Sequence, residues 1–328
     1  MKKFLIAFLF SSLTAFAQQT DAVDFLSIRT YIEVDPIEKN VKGQIRSTFQ
    51  VLKDTDSIFM DAINIEITDN DKNFDISADD KKVWFVGKFE KGKRYTASFN
   101  YIMKPKQTLY FFDDQIWTQG QGKYTSHWLP SIDDVNEKIE FDLNITIPKG
   151  KIAIANGNIV NAENLGEVYW LQYDMKQPMS SYLVAFAIGD FNKKELVSNS
   201  GIPIELYYKP SDSLKVEPTY RYSKQIFDFL ETEIGVPYPW QNYKQVPVRD
   251  FLYAGMENTT ATFFSEAFVV DSIGFNDRNY VNVNAHELAH QWFGDMVTET
   301  ANEDHWLQEG FATYYALLAE KDIFGEDY

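Results

Sequence analysis

The chain has 328 residues, a formal net charge of −17, 45% hydrophobic residues and no cysteine. That length exceeds one typical domain and predicts two, each with enough chain to bury its own core. The acidity argues against nucleic acid or anionic membrane as a partner, and without disulfides the stability must rest on core burial and bound metal.

Residues 1–17 start with Lys2 and Lys3, run apolar from Phe4 to Phe10 and close on Ala15-Phe16-Ala17 before Gln18. This is the pattern of a cleavable secretory signal, so an exported protein, periplasmic or extracellular, is expected. The apolar run is too short to span a bilayer and no other stretch approaches the needed length, which predicts no integral membrane segment once the signal is removed. With no cysteine after the cleavage site, a lipoprotein anchor is not expected either.

Residues 18–201 read as an all-β N-terminal domain. Segments 31–34, 43–51, 94–101 and 139–147 alternate polar with apolar or aromatic residues, as half-buried antiparallel strands do. Pro148-Lys149-Gly150 and Asn156-Gly157-Asn158 are turn signals, and most of the many Tyr and Phe residues are assigned to packing. The composition shifts near Gly201-Ile202-Pro203, where a second domain, 202–328, is expected to begin. In it, Tyr222, Ile226, Phe229 and Leu230 fall at helical spacing across 218–234. After an irregular Pro-rich stretch, residues 285–293 predict a helix stopped by Gly294, and 306–321 predict another, rich in Ala, Leu and aromatics.

The second of these helical runs carries His286-Glu287-Leu288-Ala289-His290. Histidine is scarce, with four in the chain, and two of them stand here one helical turn apart, so two imidazole nitrogens can reach one Zn²⁺. Glu287 is offset around the helix, placed to touch a metal-bound water as general base instead of completing the coordination shell. A catalytic zinc usually takes three protein ligands. Glu309, near the start of the last helix, fits best as the third; Glu299, Glu303 and Glu320 are rivals. His127 and His305 are read as polar surface without a role.

The run from His286 to Asp295 followed by Trp306-Leu307-Gln308-Glu309-Gly310-Phe311-Ala312 resembles the aminopeptidase N family of zinc metallo-aminopeptidases, of the gluzincin type. Tyr253-Ala254-Gly255-Met256-Glu257-Asn258 is similar to that family's Gly-x-Met-Glu-Asn exopeptidase motif, with Ala before Gly where Gly usually precedes Ala. Segments 235–240, 179–191 and Thr118-Gln119-Gly120-Gln121 extend the likeness from about residue 25 to the end. The resemblance implies a saddle-like β domain followed by the start of an α+β thermolysin-like catalytic domain, with one Zn²⁺ per chain on His286, His290 and Glu309. It further implies that Glu257 pairs with the substrate's free α-ammonium and that Gln121 is a second, neutral partner, although Gln119 is an equally short step away. Backbone groups of Gly255 and Met256 would pair with an extended peptide like an added strand. The family also uses a downstream tyrosine for the oxyanion and a helical C-terminal domain. Tyr314 and Tyr315 are too close to Glu309 to be that tyrosine, so the chain is expected to be a C-terminally truncated, incomplete piece of a longer enzyme. The expected activity is release of N-terminal residues from peptides. A thermolysin-type endopeptidase and a non-catalytic peptide-binding scaffold with a vestigial zinc site are the alternatives. Oligomeric state and the preferred N-terminal residue are not legible.

Overall fold

The computed structural model describes residues 19–326, so the secretory segment read at 1–17 lies outside the described residues. The first half is almost entirely strand, because its sequence alternates. In Val23–Asp35 the side chains of Val23, Phe25, Ile28, Thr30, Ile32 and Val34 are buried while those between them are more exposed. This strand pairs antiparallel with Asn40–Val51, which pairs in turn with Arg94–Met103. On its other side it runs parallel to Lys138–Pro148, in register from Ser27 opposite Glu140 to Glu33 opposite Thr146. With Glu66–Asn70, Val168–Asp174, Asn158–Asn164 and Met179–Ser180 they form an eight-stranded sheet. A three-stranded sheet of Thr55–Asp61, Lys82–Phe89 and Asp75–Ala78 brings Phe85 against Phe49 and Phe99, with ring centroids 6.1 Å apart in both pairs. These aromatic residues are core, as expected of most aromatics in this half, while Tyr31 and Tyr124 are exposed.

A four-stranded sheet carries the junction with the second half. Every residue of its strands Gln115–Thr118 and Phe186–Gly189 is buried. Gln115 Nε2 donates to Pro247 O at 3.3 Å and Trp117 Nε1 to Arg249 O at 3.0 Å. Asn156 Nδ2 donates to both Leu183 O and Thr259 O, Gly157 N to Thr260 Oγ1, and the buried Lys244 amine to Ala155 O and Gly157 O. The turn at 156–158 is thus a docking point for the segment that follows Glu257.

The second half is built on a five-stranded sheet of Asn192–Val197, Pro203–Tyr208, Tyr243–Val248, Ala261–Ser265 and Gly255–Met256, in that spatial order. Its three central strands run parallel and its two outer strands antiparallel to their neighbours. Asn192–Val197 precedes residue 201 in the chain yet belongs to this sheet, so sheet membership changes between Gly189 and Asn192. The amphipathic run at 218–234 is two helices, α1 (Val216–Tyr220) and α2 (Ser223–Ile234), broken at Arg221 and Tyr222. Helix α2 ends where Gly235 adopts φ +71° and donates to Glu231 O at 3.2 Å, a left-handed cap that suits glycine. Helices α3 (Val281–Ala289) and α4 (Trp306–Phe324) pack side by side against α2. The outward side of α4 leaves Trp306, Leu307, Phe311, Tyr314 and Leu317 exposed. No helix of the described residues is long and apolar enough to cross a membrane.

Candidate metal centre and substrate cavity

Helix α3 starts four residues before the predicted 285 and its regular part stops at Ala289, with His290 as the C-terminal cap residue. Beyond it the N–H groups of Gln291 and Trp292 reach back only three residues, to Leu288 O and Ala289 O at 3.1 Å each, and the chain tightens and turns away. Gly294 then takes φ +136°, a conformation costly for any residue with a Cβ. The i, i+4 relation survives this early stop, because His290 N still donates to His286 O at 3.2 Å. The two rings meet at an interplanar angle of 77° with Nε2 atoms 3.0 Å apart.

The carboxylate of Glu309, from the first turn of α4, completes a three-donor cluster. Its Oε2 lies 3.2 Å from His286 Nε2 and 3.7 Å from His290 Nε2. His290 Nδ1 is 2.9 Å from the carbonyl of Phe293, so a proton on Nδ1 leaves Nε2 with its lone pair directed at the cluster. Two imidazole nitrogens and a carboxylate oxygen are a donor set suited to a borderline-soft divalent ion, so His286, His290 and Glu309 can hold a metal. The rivals lie elsewhere. Glu299 pairs with His305, Glu320 accepts from Asn282 Nδ2 at 2.8 Å, and exposed Glu303 lines a separate cavity.

The cluster opens into a cavity of about 390 Å³ whose wall includes Gln121, Gly255, Glu257, Glu287 and Thr313. Glu257 is only 2% exposed, and its Oε1 has no hydrogen-bond partner. A buried carboxylate oxygen left unpaired is costly, and the cost is removed by a cationic group brought into the cavity. Its backbone is held by Gln291, which follows His290: Gln291 Nε2 donates to Glu257 O at 3.0 Å, and Gln291 Oε1 accepts from Thr260 N at 2.9 Å. Gln121 lines the cavity, whereas the Gln119 side chain is buried and turned back to accept the Gln121 N–H at 2.8 Å. Gly255–Met256 is an outer strand of its sheet, paired on one side with Phe264 and Phe263.

Glu287 is 5% exposed and lies against Gly255, where a Cβ would overlap its carboxyl group. The order Ala254-Gly255 therefore gives that carboxyl its space. Burial pushes the Glu287 carboxyl well above the ordinary carboxylate range; His290 counteracts this and the charge of Glu257 reinforces it. Burial works against protonation of His290, but Glu257, Glu309 and Glu287 outweigh it and raise the imidazole to about 10. Glu309 is held far below the usual range by hydrogen bonds from His286, His290 and His305.

His305, read from sequence as polar surface, belongs to this site. Its Nε2 lies 3.2 Å from Glu309 Oε1 and its Nδ1 3.1 Å from Glu299 Oε1. The two carboxylates, Glu299 first, raise it to about 10. The signal that could have found it is the i, i+4 spacing from Glu309 on one helix. His127 instead packs edge-on to Tyr124 at 5.4 Å and lines the cavity next to Asp61 and Asp133. Tyr314 and Tyr315 do not line the cavity; Tyr315 stacks on Phe293 at 5.2 Å.

Comparison with known proteins yields two family matches, the Peptidase M1 N-terminal domain over residues 26–183 and the Peptidase family M1 domain over residues 219–327. A probable aminopeptidase 1 from Sulfurisphaera tokodaii is 30% identical over 83% of this chain and 36% of its own length. The glutamyl aminopeptidase of Homo sapiens is 32% identical over 58% of this chain and 20% of its own. Aminopeptidase M1-D of Oryza sativa subsp. japonica is 30% identical over 64% of this chain and 24% of its own. The matched region thus spans between a fifth and about a third of these relatives.

Proposed function

The chain belongs to peptidase family M1 of the aminopeptidase N type, and from that premise we propose that it carries the metal-binding and amine-binding machinery of a zinc aminopeptidase that removes single residues from the N-terminus of peptides. The observation that carries this reading is the unpartnered, buried oxygen of Glu257 in the cavity that also holds His286, His290 and Glu309. A peptide with a free N-terminus offers a cation at one end and a scissile carbonyl one residue away, and the cavity offers a counterpart to each.

His286, His290 and Glu309 would hold Zn²⁺, whose Lewis acidity when bound would lower the pKa of water and polarise a carbonyl. Glu287 accepts the proton of the attacking water at its carboxylate and returns it to the departing amine nitrogen, so one residue serves as base and then as acid. Its raised proton affinity suits the second half of that exchange. Glu257 pairs with the α-ammonium, and the Gln121 amide oxygen accepts a further N–H from it. The N–H and C=O groups of Gly255 and Met256 on the outer strand bond an extended peptide in register. The relatives' names, all aminopeptidases, support the same reading.

The alternative of a thermolysin-type endopeptidase leaves the burial of Glu257 without a purpose, and a vestigial scaffold leaves Glu287 without one. We further propose two structural units that meet between Gly189 and Asn192, ahead of the boundary at 201 expected from sequence because Asn192–Val197 joins the second sheet, and export to the periplasm or the extracellular space, on the sequence of residues 1–17. The test is to measure bound zinc and to compare hydrolysis of peptides with free and N-acetylated termini by the full-length enzyme. One zinc per chain with cleavage confined to free termini supports the proposal; equal cleavage of both overturns it.

A further inference from the structure

Glu309 presents its two carboxylate oxygens to different partners. Oε2 faces His286 and His290, and Oε1 lies 3.2 Å from Nε2 of His305, four residues earlier at the start of α4. The other ring nitrogen of His305 is 3.1 Å from Oε1 of Glu299, whose side chain is 2% exposed. Glu299, in the loop between the two metal-site helices, is thus a buried anchor for a ring that sits half in solvent.

The chemistry of this chain of contacts is specific. A glutamate has three side-chain torsions, and the Glu309 side chain is 39% exposed, so on its own it is free to swing toward water. A partner on Oε1 removes that freedom and leaves Oε2 as the oxygen directed at the two histidines. The imidazole can do this only if its own plane is fixed, and Glu299 fixes it from the opposite edge. Groups that orient metal ligands in this manner typically affect metal affinity by about 10- to 100-fold.

We infer that His305, anchored by Glu299, is a positioning residue that holds Glu309 in place to bind zinc through one oxygen. The inference rests on the zinc-site reading above but adds residues to it: Glu299 serves the metal at one remove instead of ligating it, and His305 is part of the centre's support.

The test is zinc affinity, measured on the full chain by competition with a chromophoric chelator, together with the visible spectrum of the cobalt-substituted protein. His305→Leu should weaken zinc binding by about 10- to 100-fold and alter the cobalt spectrum. His305→Gln, whose amide N–H can still reach Glu309, should recover a large part of the affinity. Glu299→Ala should act in the same direction and add little when combined with His305→Leu, since both act through one chain of contacts. Unchanged affinity and an unchanged cobalt spectrum in His305→Leu, in a parent that binds zinc tightly, overturn the positioning role alone. Additive losses in the double variant, or no recovery with His305→Gln, also overturn it, because a merely structural role would behave so. A parent protein that takes up no zinc overturns this inference and the proposed function together.

Discussion

Three carboxylates within one cavity have different surroundings, which suit them to the separate tasks proposed above. Glu309 is tied by three imidazoles and held as an anion, Glu287 is buried against a glycine and drawn toward its protonated form, and Glu257 keeps one oxygen unpaired. Glu287→Gln should therefore keep zinc and lose about 10²- to 10⁴-fold in kcat, the usual share of a general base; undiminished turnover at full zinc occupancy would remove Glu287 from the mechanism. Glu257→Gln replaces the charge but keeps the shape, so it should raise KM for free-amine peptides and narrow their advantage over N-acetylated ones. Retained discrimination would show that the ammonium is read elsewhere. The pairing of His286 with His290 is legible from sequence because one helical turn sets it, while Glu309 is reached through the need for a third ligand and Glu257 through the likeness of its short motif. His305 and Gln291 are not legible, for opposite reasons. His305 lies at a telling distance from Glu309 but resembles any polar residue near a helix start, and Gln291 gains its partners Glu257, Thr260 and Tyr238 only when segments far apart in the chain meet.

Strands and helices follow the alternation closely, and the departures fall where packing overrules local pattern. The predicted helix over 285–293 slides to α3 because the apolar residues after His290 are taken up by a tight turn: Trp292 Nε1 donates to Val236 O at 3.0 Å, and Phe293 stacks on Phe311 at 4.8 Å. Gly294 makes that turn possible. Gly294→Ala would force φ +136° on a residue with a Cβ and press that atom toward His290 Nδ1, 3.2 Å away. A loss of about 1–3 kcal/mol is expected from the backbone strain, visible as a lower Tm in differential scanning calorimetry; an unchanged Tm would mean the turn relaxes freely. The strand at Asn192–Val197 shows the same limit, since nothing in its composition reveals that it joins the second sheet.

The acidity of the whole molecule has a local counterpart in the β half. Asp133 accepts a hydrogen bond from Ser126 at 2.8 Å, and its N–H donates to Asp61 Oδ2 at 2.8 Å. Burial, then the charge of Asp61, pushes the Asp133 carboxyl up to about 7 from an ordinary 3.8. The folded state thus holds this proton more tightly than the unfolded chain does. As pH rises from about 4 to 7 the unfolded state has already released it, so this group's contribution to stability falls across that window and is lost above it. Asp133→Asn keeps an acceptor for Ser126 without the charge. Its Tm should exceed the parent's at pH 8, with the gap closing toward pH 4; a constant gap would assign the effect to something other than this proton.

Gln291 has a consequence for what is cut. Its amide clasps the backbone of Glu257 while its own backbone follows directly on His290, so Glu257 and His290 are tied together through one residue. On the proposed reading, in which Glu257 takes the ammonium, a fixed spacing counts: it would admit one α-residue between the ammonium and the carbonyl under attack. Peptides that begin with a β-amino acid, longer by a single methylene, should be cut far more slowly than their α-counterparts, and intact dipeptides should not be released.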